Sequence, residues 1–216
     1  MVFPRGIVSL AVDCVVFGFT GERLRLLLIR RAVAPFAGMW ALPGGFVEAG
    51  ETLRAAAGRE LSEESGVALA AVEEIGAFDA LDRDPRGRVV SVAFLGLVRP
   101  EDCVLASRCD AAEARWFDLD AVPALAFDHG AILRRGRDRL RDALWSGPLG
   151  LRLLGDAFTL TDAQRLYETI GGAPLDVRNF RKRLLATGLV VPLAARQRGV
   201  AHRAARYYAC RPSPSG

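Results

Sequence analysis

Four of the chain's eleven glutamates, Glu51, Glu60, Glu63 and Glu64, stand within fourteen residues of one another in GFVEAGETLRAAAGRELSEESGV, the segment from Gly45 to Val67. Thr52 to Ser65 is rich in Ala, Leu and Glu and is stopped by Gly66, which predicts a helix. On a helix Glu60 and Glu64 lie one turn apart and project about 40° from each other, with Glu63 about 60° from Glu60 on the other side. Like charges so crowded repel unless a cation fills the site, and an all-oxygen cluster suits hard Mg²⁺ or Mn²⁺. Leu53, Ala57 and Leu61 form a separate apolar stripe that would pack the helix on a sheet. The bland alternative is a solvated acidic helix face.

Other chemistry has little room. Among 216 residues there are two histidines, His129 and His202, and four cysteines without a C-x-x-C pair, so neither a structural zinc site nor a Ser/His/Asp or Cys/His nucleophile is expected. The thiols read as reduced and mostly buried. Composition, 51% hydrophobic and 25% charged, excludes disorder as the main state. No apolar run reaches about 18 residues unbroken, and Asp13 interrupts the start before a signal-type cleavage site; a cytoplasmic protein without membrane contact is expected. Hydrolysis, if present, would run on carboxylates and metal.

The first part reads as mixed strand and helix: strands Ile7 to Phe19 and Leu24 to Ile29 around Thr20-Gly21-Glu22, a Pro/Gly loop Pro35 to Gly45, the acidic helix, and a strand Val89 to Val98 behind the charged loop Asp82 to Arg88. Trp116-Phe117 opens a short segment, and Asp128 to Trp145 is an amphipathic helix. Ser146-Gly147-Pro148 breaks it and sets the expected boundary between domains 1–147 and 148–216. Residues 152 to 216 carry eleven basic against four acidic side chains, +7, whereas residues 1 to 151 carry eighteen against twenty-one, −3. In the basic part Thr161 to Gln164 reads as a capping box opening a helix from Asp162 to about Ile170, and Asp176 caps a second, Val177 to Thr187. Two strands, Leu189 to Leu193 and Ala205 to Cys210, then flank an Arg-rich loop, a winged-helix layout.

The Gly45 to Val67 spacing matches G-x5-E-x7-R-E-U-x-E-E-x-G-U, with U aliphatic, without one departure, and so resembles the Nudix box. Trp40 to Gly45 is similar to the usual approach to it. The resemblance implies an α/β/α sandwich around a mixed sheet that binds a nucleoside diphosphate linked to another group. It makes Glu60 and Glu64 metal ligands, Glu63 a further ligand or the base, Arg59 the partner of Glu51, and the Gly45 carbonyl a completing ligand. The reaction implied is substitution at phosphorus.

Arg83-Asp-Pro-Arg86-Gly-Arg88 and the strand after it resemble the corresponding loop of ADP-ribose-binding Nudix proteins, whose arginines would hold phosphate or ribose; a charged hairpin turn is the alternative. Arg30-Arg31 is a candidate phosphate clamp or a solvated strand end. Trp40, Phe17, Phe19 and Phe78 read as packing, and His129 as a capping or domain-contact residue.

On the second basic-region helix, Val177, Phe180 and Leu184 make a buried face, and Arg178, Arg181 and Lys182 share about 100° of another. Such a helix can enter a major groove of double-stranded DNA, arginine reading guanine edges and Lys182 or Asn179 reaching phosphate or adenine, while Arg196, Arg198 and Arg203 supply wing charge. A basic helix that merely solvates itself remains the alternative in a chain with 28 Arg and one Lys. Phe158 to Glu168 and Leu175 to Lys182 resemble the C-terminal winged helix of the Nudix-related transcriptional regulators (NrtR). That implies a homodimeric repressor of genes of NAD synthesis or sugar use, answering to ADP-ribose or a related nucleotide sugar. Many such proteins have eroded boxes; here the box is intact, so hydrolysis of ADP-ribose to AMP and ribose 5-phosphate is expected to be chemically available. The rival expectations are a Mg²⁺-dependent ADP-ribose or nucleoside-diphosphate-sugar pyrophosphohydrolase that regulates nothing, and a sensor of a different ligand, such as a pentose.

Overall fold

The computed structural model describes residues 7–69, 72–106, 111–196 and 205–211. The β-branched run becomes β1 (Ser9–Phe19), whose Val12, Cys14 and Val16 enter one core and Val15, Phe17 and Phe19 another. A strand buried on both faces reads as continuous apolar sequence for this reason. β1 pairs in parallel with β6 (Val89–Val98) and antiparallel with β2 (Leu24–Arg31) and β4 (Gly44–Phe46). With β3 (Trp40–Ala41), β5 (Val72–Phe78) and β7 (Ala111–Asp118) they make a mixed seven-stranded sheet. β5 is interrupted by Glu73-Glu74 and Gly76-Ala77, and β7 opens on Ala111-Ala112-Glu113-Ala114, poor strand formers, so β5 and the first half of β7 are not evident from sequence; pairing with β6 and β2 overrides that preference.

Helix α1 (Leu53–Ser65) covers one face of the sheet through Ala56, Ala57 and Leu61. Thr52 accepts the Ala55 N–H at 3.2 Å and Gly66, at φ 75°, closes the other end in the left-handed region. Helix α2 (His129–Ser146) covers the opposite face through Ile132, Leu133, Leu140 and Leu144. The result is an α/β/α sandwich.

A 3₁₀ turn (Gly150–Leu154) leads into β8 (Phe158–Thr159), α3 (Leu160–Gly171), α4 (Val177–Ala186), β9 (Val190–Arg196) and β10 (Arg206–Cys210), a winged helix. Two corrections apply. The hairpin is a three-stranded sheet, because Phe158 and Thr159 pair with β10. The capping box is built on Thr159, not Thr161: Thr159 Oγ1 accepts the Asp162 N–H at 3.2 Å while Asp162 accepts the Thr159 N–H at 2.9 Å, an aspartate doing what a glutamate usually does.

Helix α2 stops at Gly147, but the apolar core does not: one cluster includes Leu140 and Leu144 of α2, Leu151, Tyr167 of α3, and Phe180 and Leu184 of α4. The Trp145 ring meets Tyr167 at 4.6 Å and Phe180 at 5.9 Å, edge to face, and Arg183 lies 3.8 Å over it. The Tyr167 hydroxyl donates to the Leu144 carbonyl. Among the described residues no helix is long and apolar enough to cross a membrane.

Candidate functional site

The caps of α1 set its rotation, and three of the four glutamates, Glu51, Glu60 and Glu63, then meet one guanidinium. Arg59 donates in a fork to Glu51 at 2.6 and 3.1 Å, and also reaches Glu60 at 2.9 Å, Glu63 at 3.4 Å and the Phe46 carbonyl at 3.2 Å. That bond to Arg59, with the Glu48 N–H, holds Glu51 below the usual carboxylate range. Glu64 is buried and, among the described residues, accepts only the Gly44 N–H, at 2.9 Å; burial, reinforced by the negative Glu60, pushes its carboxyl up to about 8. Burial raises Glu60 as well, against the pull of Arg59. The Glu63 side chain is 44% exposed and can reach into the cleft. At Gly44 a Cβ would collide with the Val12 carbonyl oxygen, so only glycine brings β4 this near β1, whereas at Gly45 it would meet the Glu60 carboxylate, which can swing aside.

Among the described residues, no three acidic, histidine or cysteine side chains already converge closely enough to hold an ion. The residues nevertheless fit a hard divalent cation: their donors are all oxygen, and Glu64 is a buried carboxylate with no cationic partner within ion-pair distance among the described residues. Arg59 also pairs with Glu60 and Glu63 on this face.

These groups wall a cleft of about 370 Å³ whose floor is a buried polar cluster. Asp13 accepts from Ser91 at 2.6 Å, Arg83 at 3.2 Å and His129 Nε2 at 3.2 Å. Arg83 also forks onto Asp128 at 2.8 and 3.0 Å. The Leu42 N–H donates to His129 Nδ1 at 2.9 Å, which leaves the Nε2–H to face Asp13. Burial alone would raise the Asp13 carboxyl, but His129, Ser91 and Arg83 outweigh it and hold it at about 2. Asp13 and Asp128 were not singled out in the sequence. The available signal for Asp13 was a lone carboxylate in an otherwise apolar strand.

Of the arginines expected to meet ligand, Arg31, Arg83 and Arg86 line the cleft, while Arg30 and Arg88 do not. Arg30 donates to the Gly38 carbonyl at 3.1 Å and Arg88 to those of Asp79 and Ala80, so both brace their own loops. Arg83 is built into the floor. Arg86 forks onto Asp84 at 2.7 to 3.3 Å, and its guanidinium lies 4.8 Å from the centre of the Phe46 ring and 5.7 Å from that of Phe127. Phe127 has φ 54°, a left-handed conformation that costs a bulky residue on the order of 1–3 kcal/mol.

On α4 Phe180 and Leu184 are buried, but Val177 is 49% exposed and does not belong to that face, since it stands at the helix start beyond the core. Arg178, Asn179, Arg181 and Lys182 are all exposed. Arg178 and Lys182 have no side-chain partner among the described residues; Arg181 reaches Thr161 only at 3.5 Å. Arg196 ends β9, and Arg198 and Arg203 lie outside the described residues.

Residues 8–136 match the family described as NUDIX domain, and residues 150–210 that described as NrtR DNA-binding winged helix domain. The chain belongs to the Nudix family, in its NrtR branch. It is 33% identical over 186 residues, 84% of this chain and 74% of the other, to the ADPR responsive transcriptional repressor NtrR of Acinetobacter baylyi. It is 46% identical over 127 residues, 58% of this chain and 71% of the other, to the ADP-ribose pyrophosphatase of Methanocaldococcus jannaschii. Among solved structures, Shewanella oneidensis NrtR complexed with a 27mer DNA superposes with TM-score 0.81 at 30% identity, covering 94% of this chain and 93% of that one. Nudix hydrolases use a divalent metal, in keeping with the oxygen donors gathered on the Nudix box.

Proposed function

We propose that the chain is a cytoplasmic, homodimeric DNA-binding regulator that takes ADP-ribose as effector and also hydrolyses it to AMP and ribose 5-phosphate. A cleft domain over residues 1–147 precedes a DNA-reading domain over 148–216. The observation that carries this reading is the shared core: α2 begins at His129 in the cleft floor and ends beneath the exposed basic helix α4. Similarity to an ADP-ribose pyrophosphatase supports the chemistry, and similarity to an ADPR-responsive repressor supports the response.

Glu60, Glu64 and the Gly45 carbonyl would hold Mg²⁺ or Mn²⁺, which when bound neutralises diphosphate oxygens and lowers the pKa of a water. Glu63, the accessible carboxylate, takes the proton of the water that attacks phosphorus, and the P–O bond joining the two phosphoryl groups breaks. Arg59 keeps the Glu51 loop in place. Arg31 and Arg86 face the diphosphate. Arg178, Asn179, Arg181 and Lys182 meet bases and phosphates in a major groove, with Arg196, Arg198 and Arg203 on the backbone. Two copies of α4 read a palindrome, and ADP-ribose releases DNA by favouring a dimer geometry in which the helices no longer match their half-sites.

Fluorescence anisotropy with duplex from upstream of the chain's own gene tests this. The expected result is salt-sensitive binding that weakens with ADP-ribose. The intact carboxylate set favours a second reading, a plain pyrophosphohydrolase, which stands alone if the protein ignores DNA at low salt while turning over ADP-ribose.

A further inference from the structure

Helix α4 breaks two local rules at its start. The positive end of a helix dipole favours acidic side chains, and the first turn of α3 carries one, Asp162. The first turn of α4 carries none: Val177, Arg178 and Asn179 follow the cap Asp176, whose carboxylate accepts the Asn179 N–H at 2.8 Å. Val177 is also β-branched, a weaker helix former than Ala or Leu, yet it is 49% exposed and joins no apolar cluster among the described residues. Departures of this kind gather where a surface serves something other than the fold.

At about 100° per residue, Val177 stands about 40° from Arg181 and about 100° from Arg178, on the border of the exposed basic face. Arg181 reaches Thr161 of α3 at 3.5 Å, so that border follows the seam between the two helices. Leu185, 45% exposed, is the other large aliphatic that α4 leaves open, on the order of 12 Å further along the axis. A recognition helix meets base edges with its N-terminal residues, which puts Val177 at the bases and Leu185 beyond them.

Among the base edges of the major groove the one apolar group is the C5-methyl of thymine; the others are donors and acceptors, to which a valine offers nothing. We infer that Val177 is a specificity-determining residue that packs its methyl groups on a thymine methyl in each half-site. The cations around it attract any duplex through phosphate, whereas the valine favours one base at one position. An acid in its place would repel the backbone, which accounts for a first turn that gives up the dipole's preference. The inference rests on the DNA-binding reading above and adds a rule for the operator: one thymine in each half-site is read by its methyl alone.

Anisotropy on the full chain tests it, with the upstream duplex and with copies in which single thymines are replaced by deoxyuridine, which removes the methyl and nothing else. At one position per half-site the replacement should weaken wild type about fourfold, the worth of one buried methyl group. Val177→Ala should bind the thymine duplex about fourfold less tightly and be indifferent to deoxyuridine at that position. Its Tm should match wild type, since the side chain is exposed; should it melt far lower, Val177→Ser decides by the same comparison. Leu185→Ala should keep the full sensitivity. Wild type indifferent to deoxyuridine at every thymine overturns the inference and leaves the DNA reading standing. So does a penalty that Val177→Ala shares in full, or one that Leu185→Ala abolishes. Failure of wild type to bind the duplex at low salt overturns the DNA reading itself and the inference with it.

Discussion

In the cleft, guanidinium groups are spoken for: Arg59 has Glu51, Arg83 has Asp13 and Asp128, and Arg86 has Asp84. On α4 the opposite holds, with Arg178 and Lys182 unpaired among the described residues and open to water. Burial accounts for the difference, because a charge removed from water must find a partner, whereas an exposed one keeps its hydration until a phosphate replaces it. One region therefore stores geometry and the other stores charge.

Breaking a buried pair should have the largest effect. Asp13→Ala leaves Arg83 without one of its two carboxylates and His129 without its acceptor, and is expected to cost roughly 3–5 kcal/mol, about 10 °C in Tm by calorimetry. An equally stable variant would mean that the floor is not the rigid part. Glu63→Gln should slow ADP-ribose hydrolysis by about 10²–10⁴-fold while effector-driven DNA release survives; parallel loss of both would make cleavage itself the signal. On the other region, Arg178→Ala with Arg181→Ala should weaken DNA about 100-fold and flatten the salt dependence, with Tm and turnover unchanged. A lowered Tm there would show that α4 is structural after all.

A further test sharpens the contrast through pH. Glu64 binds its proton in the folded chain up to about pH 8, against 4.5 for the ordinary group, so the native state holds a proton that the unfolded state has lost. Metal-free stability should therefore fall as pH rises through that window. Saturating Mg²⁺ or Glu64→Gln should remove most of the slope, read as Tm against pH with and without chelator, while α4 variants leave it alone.

The sequence displayed the groups whose spacing is their meaning. Glu60, Glu63 and Glu64 are legible because helix geometry alone places them together, and α4 because Asp176 and Gly188 bracket it. Asp13, Phe46 and Phe127 were not, since they come from β1, β4 and the α2 approach and meet only when the sheet forms. Arg30 and Arg88 show the converse error: arginine in a loop near a site has carbonyls of its own to satisfy, and only the fold reveals which it chooses. The first half of β7, before Trp116, was missed for a third reason, that partner strands can enforce extension on residues that do not prefer it.

Helix α2 spans about 27 Å from its first residue to its last. Its opening imidazole is pinned at both nitrogens, and its closing turn, which carries the Trp145 indole, is clasped by a tyrosine hydroxyl and a guanidinium from beyond Gly147. A beam clamped at both ends has no slack, so a shift of a fraction of an ångström under one clamp reappears as tilt at the other.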